Sequence, residues 1–298
     1  MAHHVLLATD FSEPAQRAYP YAVRLAHALR LPIRLLWVYE DVAPTDVQAP
    51  DPGPLVDHIA RAAEERLRED AAVLTTADVA VGVRFRMGHA AQEIVREASE
   101  ETAAVVLAAH GHSRLRRALL GSTTRKVVRR SPVPVLVVGV DVADRPIRRI
   151  VLAVDFSEVA TGALSEALRF AAAFAVPVEI FHADVPRAPL VFTGLERTVT
   201  IADEPAEKRR VRIHQGLERF AAAAASEGVE VTTYTEEALR AADGICRRAV
   251  AADAGLVIVS SHGARGFERL LLGSVAQDVV HQCARPVLVV KPPRLAGR

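Results

Sequence analysis

The sequence predicts an α/β protein of two tandem domains, each a doubly wound parallel sheet with helices on both faces. Apolar runs alternate with helical patterns in the order βαβαβαβαβ, which favours a parallel sheet with right-handed crossovers. The same order then begins again within a chain of 298 residues, so we expect two domains. Half of the residues are hydrophobic and only 5% are aromatic, which suits a buried parallel sheet.

In the first half, short apolar runs predict strands, and apolar residues at helical spacing predict the helices between them. A segment rich in Pro and Asp, 41–54, predicts a loop after the second strand. The predicted strands are 4–10, 33–39, 79–87, 105–109 and 134–138, and the predicted helices are 12–29, 55–76, 90–101 and 122–130.

The second half repeats this order from Arg149, and the segment 149–157 is similar to 5–12. Extra residues in the second half are expected in a loop from Asp184 to about Asp203, which contains two prolines and a glycine. We therefore predict domain 1 at 1–140, a linker at 141–148 and domain 2 at 149–298.

One motif follows the fourth predicted strand of each half, at 108–122 and at 260–274. It consists of His-Gly, nine residues, and Gly-Ser at the start of a helix. The amides at a helix start have no intrahelical acceptor and carry partial positive charge, and glycine lets the backbone approach an anion. The motif therefore predicts a phosphate-binding loop in each half.

Asp10 and Asp155 end the first predicted strand of each half. Ligands of doubly wound sheets bind beyond the carboxyl ends of the strands. If the first and fourth strands are neighbours, each Asp shares a crevice with one glycine loop and can contact adenine or ribose. Val38 and Ala183, on the second strands, would form an apolar wall. The alternative is that both Asp residues cap the helix that follows.

These motifs resemble the universal stress protein family. The resemblance rests on Leu-Leu-Ala-Thr-Asp-Phe-Ser and Leu-Ala-Val-Asp-Phe-Ser, on Ser-Ser-His-Gly, on Leu-Leu-Leu-Gly-Ser-Val, and on Arg-Pro-Val-Leu-Val-Val. It covers essentially the whole chain, twice. It implies a stress-response protein whose domains bind adenine nucleotides, each with five parallel strands in the order 3-2-1-4-5, and dimer-like pairing of the domains.

ATP-binding members of that family show Gly-x2-Gly-x9-Gly-Ser/Thr, which this chain matches except that the first glycine is Ala108 in one half and Ser260 in the other. The expected ligand is ATP, with ADP or AMP as alternatives, and Mg²⁺ can accompany it. The predicted nucleotide-binding residues are Asp10, Val38, Ala108, Gly111, Gly121, Ser122, Thr123, Asp155, Ala183, Ser260, Gly263, Gly273, Ser274 and Val275.

The signature motifs of several enzyme classes are absent from this sequence. The sequence has no Gly-x4-Gly-Lys-Ser/Thr, no Gly-x-Gly-x-x-Gly after the first strand, no His-Glu-x-x-His and no Gly-x-Ser-x-Gly. The leading hypothesis is therefore a protein that binds an adenine nucleotide in one or both repeats and acts as a regulator or sensor. The alternatives are a slow ATPase and an interaction scaffold that no longer binds nucleotide.

The remaining expectations concern partners and compartment. A formal net charge of +1 disfavours nucleic acid, and no apolar run approaches the length of a membrane span, so we predict a cytoplasmic protein. Cys246 and Cys283 show no metal-ligand spacing and are interpreted as buried small residues. Trp37 is expected in the core, near enough to a ligand to report binding. The fifth strands, 135–138 and 287–291, are predicted to pair with each other within one chain or, in a homodimer, between chains.

Overall fold

The computed structural model describes residues 3–40, 53–76, 78–99, 101–111, 120–186, 190–194, 197–201, 204–225, 227–261 and 272–291. In the first half its strands are β1 (His4–Thr9), β2 (Ile33–Tyr39), β3 (Val81–Met87), β4 (Thr102–Ala108) and β5 (Val135–Val138). Its helices are α1 (Glu13–Gln16), α2 (Tyr19–Leu29), α3 (Gly53–Leu74), α4 (Ala90–Glu97) and α5 (Ser122–Arg130). The predicted order of strands and helices is confirmed.

The single helix predicted over 12–29 is wrong, because the segment forms α1 and α2 with a break between them. Pro20 lies in the first turn of α2. Proline has no N–H to donate to the carbonyl of Gln16, and its ring clashes with that carbonyl in a continuous helix. The chain therefore ends α1 and starts a new helix around the proline.

The second half contains β6 (Ile150–Ala153), α6 (Glu158–Phe174), β7 (Val178–Asp184), β8 (Leu190–Gly194), β9 (Arg197–Ile201), α7 (Ala206–Ala224), β10 (Val231–Glu237), α8 (Ala241–Ala251), β11 (Leu256–Ser260), α9 (Ser274–Gln282) and β12 (Val287–Val290). The loop predicted over 184–203 is wrong in part, because β8 and β9 pair there as an antiparallel hairpin. The prolines of the segment favoured a loop, but its Val, Phe, Thr and Ile residues favour strands.

Ten strands form one sheet in the order β10-β7-β6-β11-β12-β5-β4-β1-β2-β3. Within each half all pairs are parallel and the order is 3-2-1-4-5, as the family resemblance implied. The fifth strands pair within the chain, antiparallel, with Leu136 opposite Leu288. Because this pair is antiparallel, the carboxyl ends of the strands in the two halves lie at opposite edges of the sheet.

The core consists of two apolar layers, one on each face of the sheet, and each layer runs through both halves. Alternate residues of one strand enter different layers, as Leu6 and Leu7 do. Helices α2, α3, α6 and α7 cover the layer that contains Leu7. Helices α4, α5, α8 and α9 cover the other layer. The two halves therefore share continuous packing on both faces.

The segment predicted as an exposed linker packs against both halves. Asp144 is exposed, but Val142 and Ile147 are buried. The Tyr21 hydroxyl donates to the Ala143 carbonyl at 2.7 Å. A Cβ on Gly255 would lie 2.4 Å from the Ile147 Cα, so the linker backbone lies directly on that glycine.

A buried ion pair occurs at the same place in both halves with its charges exchanged. In the first half, Arg34 on β2 bonds to Glu97 on α4 at 3.0 Å. In the second half, Glu179 on β7 bonds to Arg248 on α8 at 2.6 Å. Both acidic side chains are less than a tenth exposed. The duplicated fold therefore keeps an ion pair between strand and helix at this position, but either element can carry the acidic residue.

We expect Glu179→Gln to destabilise the protein by about 3 kcal/mol, because it leaves a half-buried guanidinium without its carboxylate. Urea unfolding followed by circular dichroism measures this change. Glu166→Gln, which breaks the more exposed pair with Arg169, is the control and should cost less than about 1 kcal/mol. Equal losses in the two variants would contradict a special role for the buried pair.

Candidate functional site

The first crevice forms where the carboxyl ends of β1 and β4 lie side by side. These strands are parallel neighbours, with Leu7 opposite Val106. Asp10 follows β1, and a Cβ built on Gly111 would lie only 2.0 Å from its Oδ2 atom. A side chain at position 111 would therefore displace the carboxylate. The structure thus brings together Asp10 and Gly111, two of the residues that were predicted to share a site.

Asp10 also organises the start of α1. Its Oδ1 accepts hydrogen bonds from the Ser12 backbone N–H at 3.1 Å and from the Ser12 hydroxyl at 2.5 Å. The Ser12 Oγ in turn accepts from the Ala15 N–H at 3.2 Å and caps the helix. Asp10 therefore contributes to the helix cap indirectly, by holding Ser12 with Oδ1. Its other oxygen, Oδ2, lies against Gly111.

The residue after each Asp adopts an unusual backbone conformation. Phe11 and Phe156 both have φ of 61°, in the left-handed region that bulky side chains rarely enter. Such strain persists only where surrounding contacts impose it. The Phe11 ring packs at a tilt against Trp37, with ring centroids 5.4 Å apart, and the Phe156 ring stacks on His182 at 4.4 Å. Both halves thus make the same sharp turn directly after the acid.

The other end of the first glycine loop is tied to β4. The Gly121 N–H donates to the Ala109 carbonyl at 2.9 Å, and the Thr124 hydroxyl donates to the Ala108 carbonyl at 2.8 Å. Gly121 is the N-cap of α5, and no side chain caps this helix. Ser122 is exposed and Thr123 half-buried. The first-turn amides of α5 are therefore oriented for an anion at the crevice.

The second crevice uses the same backbone arrangement with different side-chain contacts. The Gly273 N–H donates to the Ser261 carbonyl at 2.8 Å, and Ser274 and Val275 are exposed at the start of α9. Asp155 accepts from the Ser157 hydroxyl at 2.6 Å, but the Ser157 side chain does not cap α6. Ala276 stands where the first repeat has Thr124, so the bond from the Thr124 hydroxyl to the strand has no equivalent at this position.

The remaining predicted residues lie at strand ends. Val38 and Ala183 are half-buried near the carboxyl ends of β2 and β7, on the face that α4 and α8 cover. Ala108 and Ser260 are the last residues of β4 and β11. Gly263 lies outside the described residues.

Sequence reasoning missed His182. It occupies in the second repeat the place of Trp37, the single tryptophan of the chain. Trp37 stacks on Phe85 at 5.5 Å and packs at a tilt against Phe11. The His182 Nδ1–H donates to the Val154 carbonyl at 2.8 Å. Burial lowers the pKa of His182, so the ring is neutral at pH 7. Alignment of the two repeats would have revealed the equivalence with Trp37.

Other surface features lie away from the crevices. A depression of about 470 Å³ is bordered by α2, the end of α6 and the linker, and includes Arg24, Arg30 and Phe174. Among the described residues there is no group of three or more His, Cys, Asp or Glu side chains that could hold a metal ion. In the same part of the chain, no helix combines the length and the apolar character needed to cross a bilayer.

The two halves of the sheet, each with a glycine-capped helix at the carboxyl ends of its strands, define a tandem, doubly wound α/β protein. The model of the universal stress protein family matches both repeats, over residues 1–139 and 146–291. The chain therefore belongs to the universal stress protein family, and its tandem organisation is shown by the double match.

The chain is also similar to individual known proteins. A universal stress protein of Mycolicibacterium smegmatis is 30% identical over 97% of both chains. The crystal structure of a universal stress protein from Archaeoglobus fulgidus matches 97% of this chain and 98% of its own, with 24% identity and a TM-score of 0.73. Another structure from that organism, solved in complex with dAMP, covers 49% of this chain and all of its own, with 22% identity and a TM-score of 0.38.

Ser12 caps α1 through its side chain, whereas the equivalent Ser157 does not cap α6. Ser12→Ala should cost about 1 kcal/mol, because it removes the side-chain oxygen that caps α1. Ser157→Ala is the matched control, since Ser157 makes the same bond to its Asp but caps no helix, and it should cost clearly less. Urea unfolding midpoints compare the two. A larger loss for Ser157→Ala would show that the caps do not decide the difference.

Proposed function

We propose that this protein binds ATP or a related adenine nucleotide in one or both repeats and acts as a nucleotide-dependent regulator of a stress response. The observation that carries the proposal is the contact between the Asp10 carboxylate and the Gly111 backbone, at the strand edge where α5 begins with uncapped amides. A carboxylate suits the hydroxyl and amino donors of a nucleoside, and uncapped helix amides suit its phosphates.

Each element of the crevice has a role in this proposal. In the first repeat the phosphates bind at Gly121, Ser122 and Thr123, and Asp10 contacts ribose or adenine. Val38 forms the apolar wall, and Ala108 leaves room beside the strand end. In the second repeat the corresponding residues are Asp155, Ala183, Ser260, Gly273, Ser274 and Val275, together with Gly263.

The function proposed is binding and signalling rather than rapid chemistry. Mg²⁺ would arrive with the phosphates and be held mainly by them, since the described residues supply no cluster of metal ligands. Regulation follows if the nucleotide has different affinities for two states of the protein or for a partner surface. We place this activity in the cytoplasm. The two free thiols, Cys246 and Cys283, support a reducing compartment.

We also propose that residues 1–140 and 149–298 are separate domains joined by 141–148. Their pairing through β5 and β12 takes the place of a dimer of two single-repeat chains. A homodimer of the full chain would need another surface, such as the outer strands β3 and β10.

The first test counts the nucleotide carried by the purified protein. Heat-denatured protein should release adenine nucleotide, or the protein should bind added Mg-ATP saturably, with one or two molecules per chain. The ratio of ATP to ADP over time then distinguishes a binder from a slow ATPase. No release, together with no saturable binding at millimolar Mg-ATP, would overturn the proposal in favour of a scaffold.

Asp10→Asn tests the first site, because it keeps an oxygen for Ser12 but removes the charge. We expect its affinity for Mg-ATP to fall about tenfold, the loss of one charge-assisted hydrogen bond. Trp37 fluorescence reports this site separately, since the second repeat has no tryptophan. The control is Glu13→Gln, which removes an exposed carboxylate that pairs with Arg17 on α1. Equal affinities of the two variants would exclude Asp10 from the site.

A further inference from the structure

Two cysteines that the proposed function does not use lie together between α8 and α9. Cys246 is half-buried on α8, and Cys283 is the buried residue that ends α9. Both belong to the apolar layer that α8 and α9 cover. Both thiols are free in the structure.

Polar contacts on either side fix the register of the two helices. Arg240 at the start of α8 bonds to Asp278 on α9 at 2.6 Å. The Gln282 side-chain amide donates to Asp243 at 2.8 Å. Asp243 lies one turn before Cys246, and Gln282 directly precedes Cys283, so this contact carries the two thiols towards each other.

The two thiols lie close enough to perturb each other's pKa. The hydrogen bond with Cys246, reinforced by Arg285, lowers the pKa of the Cys283 thiol against the opposing effect of burial. The same bond and burial raise the pKa of the Cys246 thiol. Arg285, buried two residues after Cys283, supplies the positive charge that favours a thiolate on Cys283, with Cys246 as its donor.

The fold does not require cysteine at either position. In the first repeat, Val95 is the sixth residue of α4 as Cys246 is the sixth residue of α8. Ser131 ends α5 as Cys283 ends α9, and its hydroxyl donates to the Val133 carbonyl at 2.8 Å. The same backbone is thus built without thiols in one half, and the second half alone brings two sulfurs together.

We propose that Cys246 and Cys283 form a redox-active dithiol, which a hydroperoxide converts to an intramolecular disulfide between α8 and the end of α9. The Cys283 thiolate attacks a peroxide oxygen, the O–O bond breaks, and the leaving oxygen takes a proton. The Cys246 sulfur then attacks the sulfenic sulfur, the S–O bond breaks, and the hydroxide leaves as water with the Cys246 proton. Two thiols are oxidised and one peroxide is reduced.

The test treats the full-length protein with hydrogen peroxide, alkylates remaining thiols under denaturing conditions and digests without reductant. Mass spectrometry should find the Cys246 peptide joined to the Cys283 peptide, lighter than their sum by two hydrogen atoms. Free thiols per chain should fall from two to none, and dithiothreitol should restore both. Thiols that stay alkylatable while glutathione in the same tube is oxidised would overturn the proposal. So would sulfinic acid, or links between chains, in place of the internal disulfide.

Variants that introduce the first-repeat residues test the order of the steps. In Cys246→Val, the sulfenic acid on Cys283 should form more slowly than in the native pair, because the bond that favours the thiolate is lost. It has no resolving thiol and should therefore be trapped by dimedone. In Cys283→Ser, Cys246 should react with peroxide about tenfold more slowly than the native pair, because its neighbour no longer supplies the reactive thiolate. Fast trapping at Cys246 in Cys283→Ser, with none at Cys283 in Cys246→Val, would overturn the assigned order and the thiolate pair on which it rests. Both results are independent of nucleotide binding.

Discussion

The antiparallel contact between β5 and β12 holds the two halves in one sheet, and the position of both crevices follows from it. Every residue of these two four-residue strands is at most 2% exposed. Backbone groups buried this deeply need hydrogen-bond partners on both edges of the strand, and here each edge has one. The reversal of direction places the crevices at opposite edges of the sheet. A nucleotide in one crevice would therefore be separated from a nucleotide in the other by the shared sheet and its apolar layers.

The two repeats keep the same backbone but differ in the side chains that brace it. In both, the Phe that follows the Asp has a left-handed backbone conformation. In both, the backbone N–H of the N-cap glycine donates to a carbonyl just after the fourth strand. The first repeat adds the Ser12 cap and the Thr124 hydroxyl, whereas Ser157 and Ala276 provide neither. The common backbone is the reason for proposing similar ligands in both crevices. The difference in bracing favours a first site that is better ordered before a ligand arrives, and such preorganisation reduces the entropy lost on binding.

Most of the fold could be predicted from the sequence, because duplicated apolar runs and glycine motifs mark the strands and their ends twice. The features that the sequence did not predict depend on single residues that break a pattern or on contacts between distant segments. The break before α2 comes from Pro20, which an apolar stripe at helical spacing conceals. The β8–β9 hairpin forms in a segment where prolines and a glycine favoured a loop. The contact of Asp10 with Gly111 was expected from topology alone, whereas its simultaneous bond to Ser12 depends on the tight turn at Phe11. Cys246 and Cys283, far apart in sequence, could be recognised as a pair only after α8 and α9 were packed.

Helix α9 links the dithiol to the second crevice. It begins at Ser274, where the proposed phosphate site lies, and its nine residues span about 13 Å before Cys283. A disulfide to Cys246 would fix the far end of this helix against α8. Fixing that end alters nucleotide affinity only if the helix start takes different positions in the nucleotide-bound and nucleotide-free states, because coupling requires a difference in free energy between two states. The first crevice is the internal reference, since α5 ends at Ser131 and has no thiol. An effect of peroxide on nucleotide binding that arises from the disulfide must therefore appear in the second repeat and spare the Trp37 signal of the first.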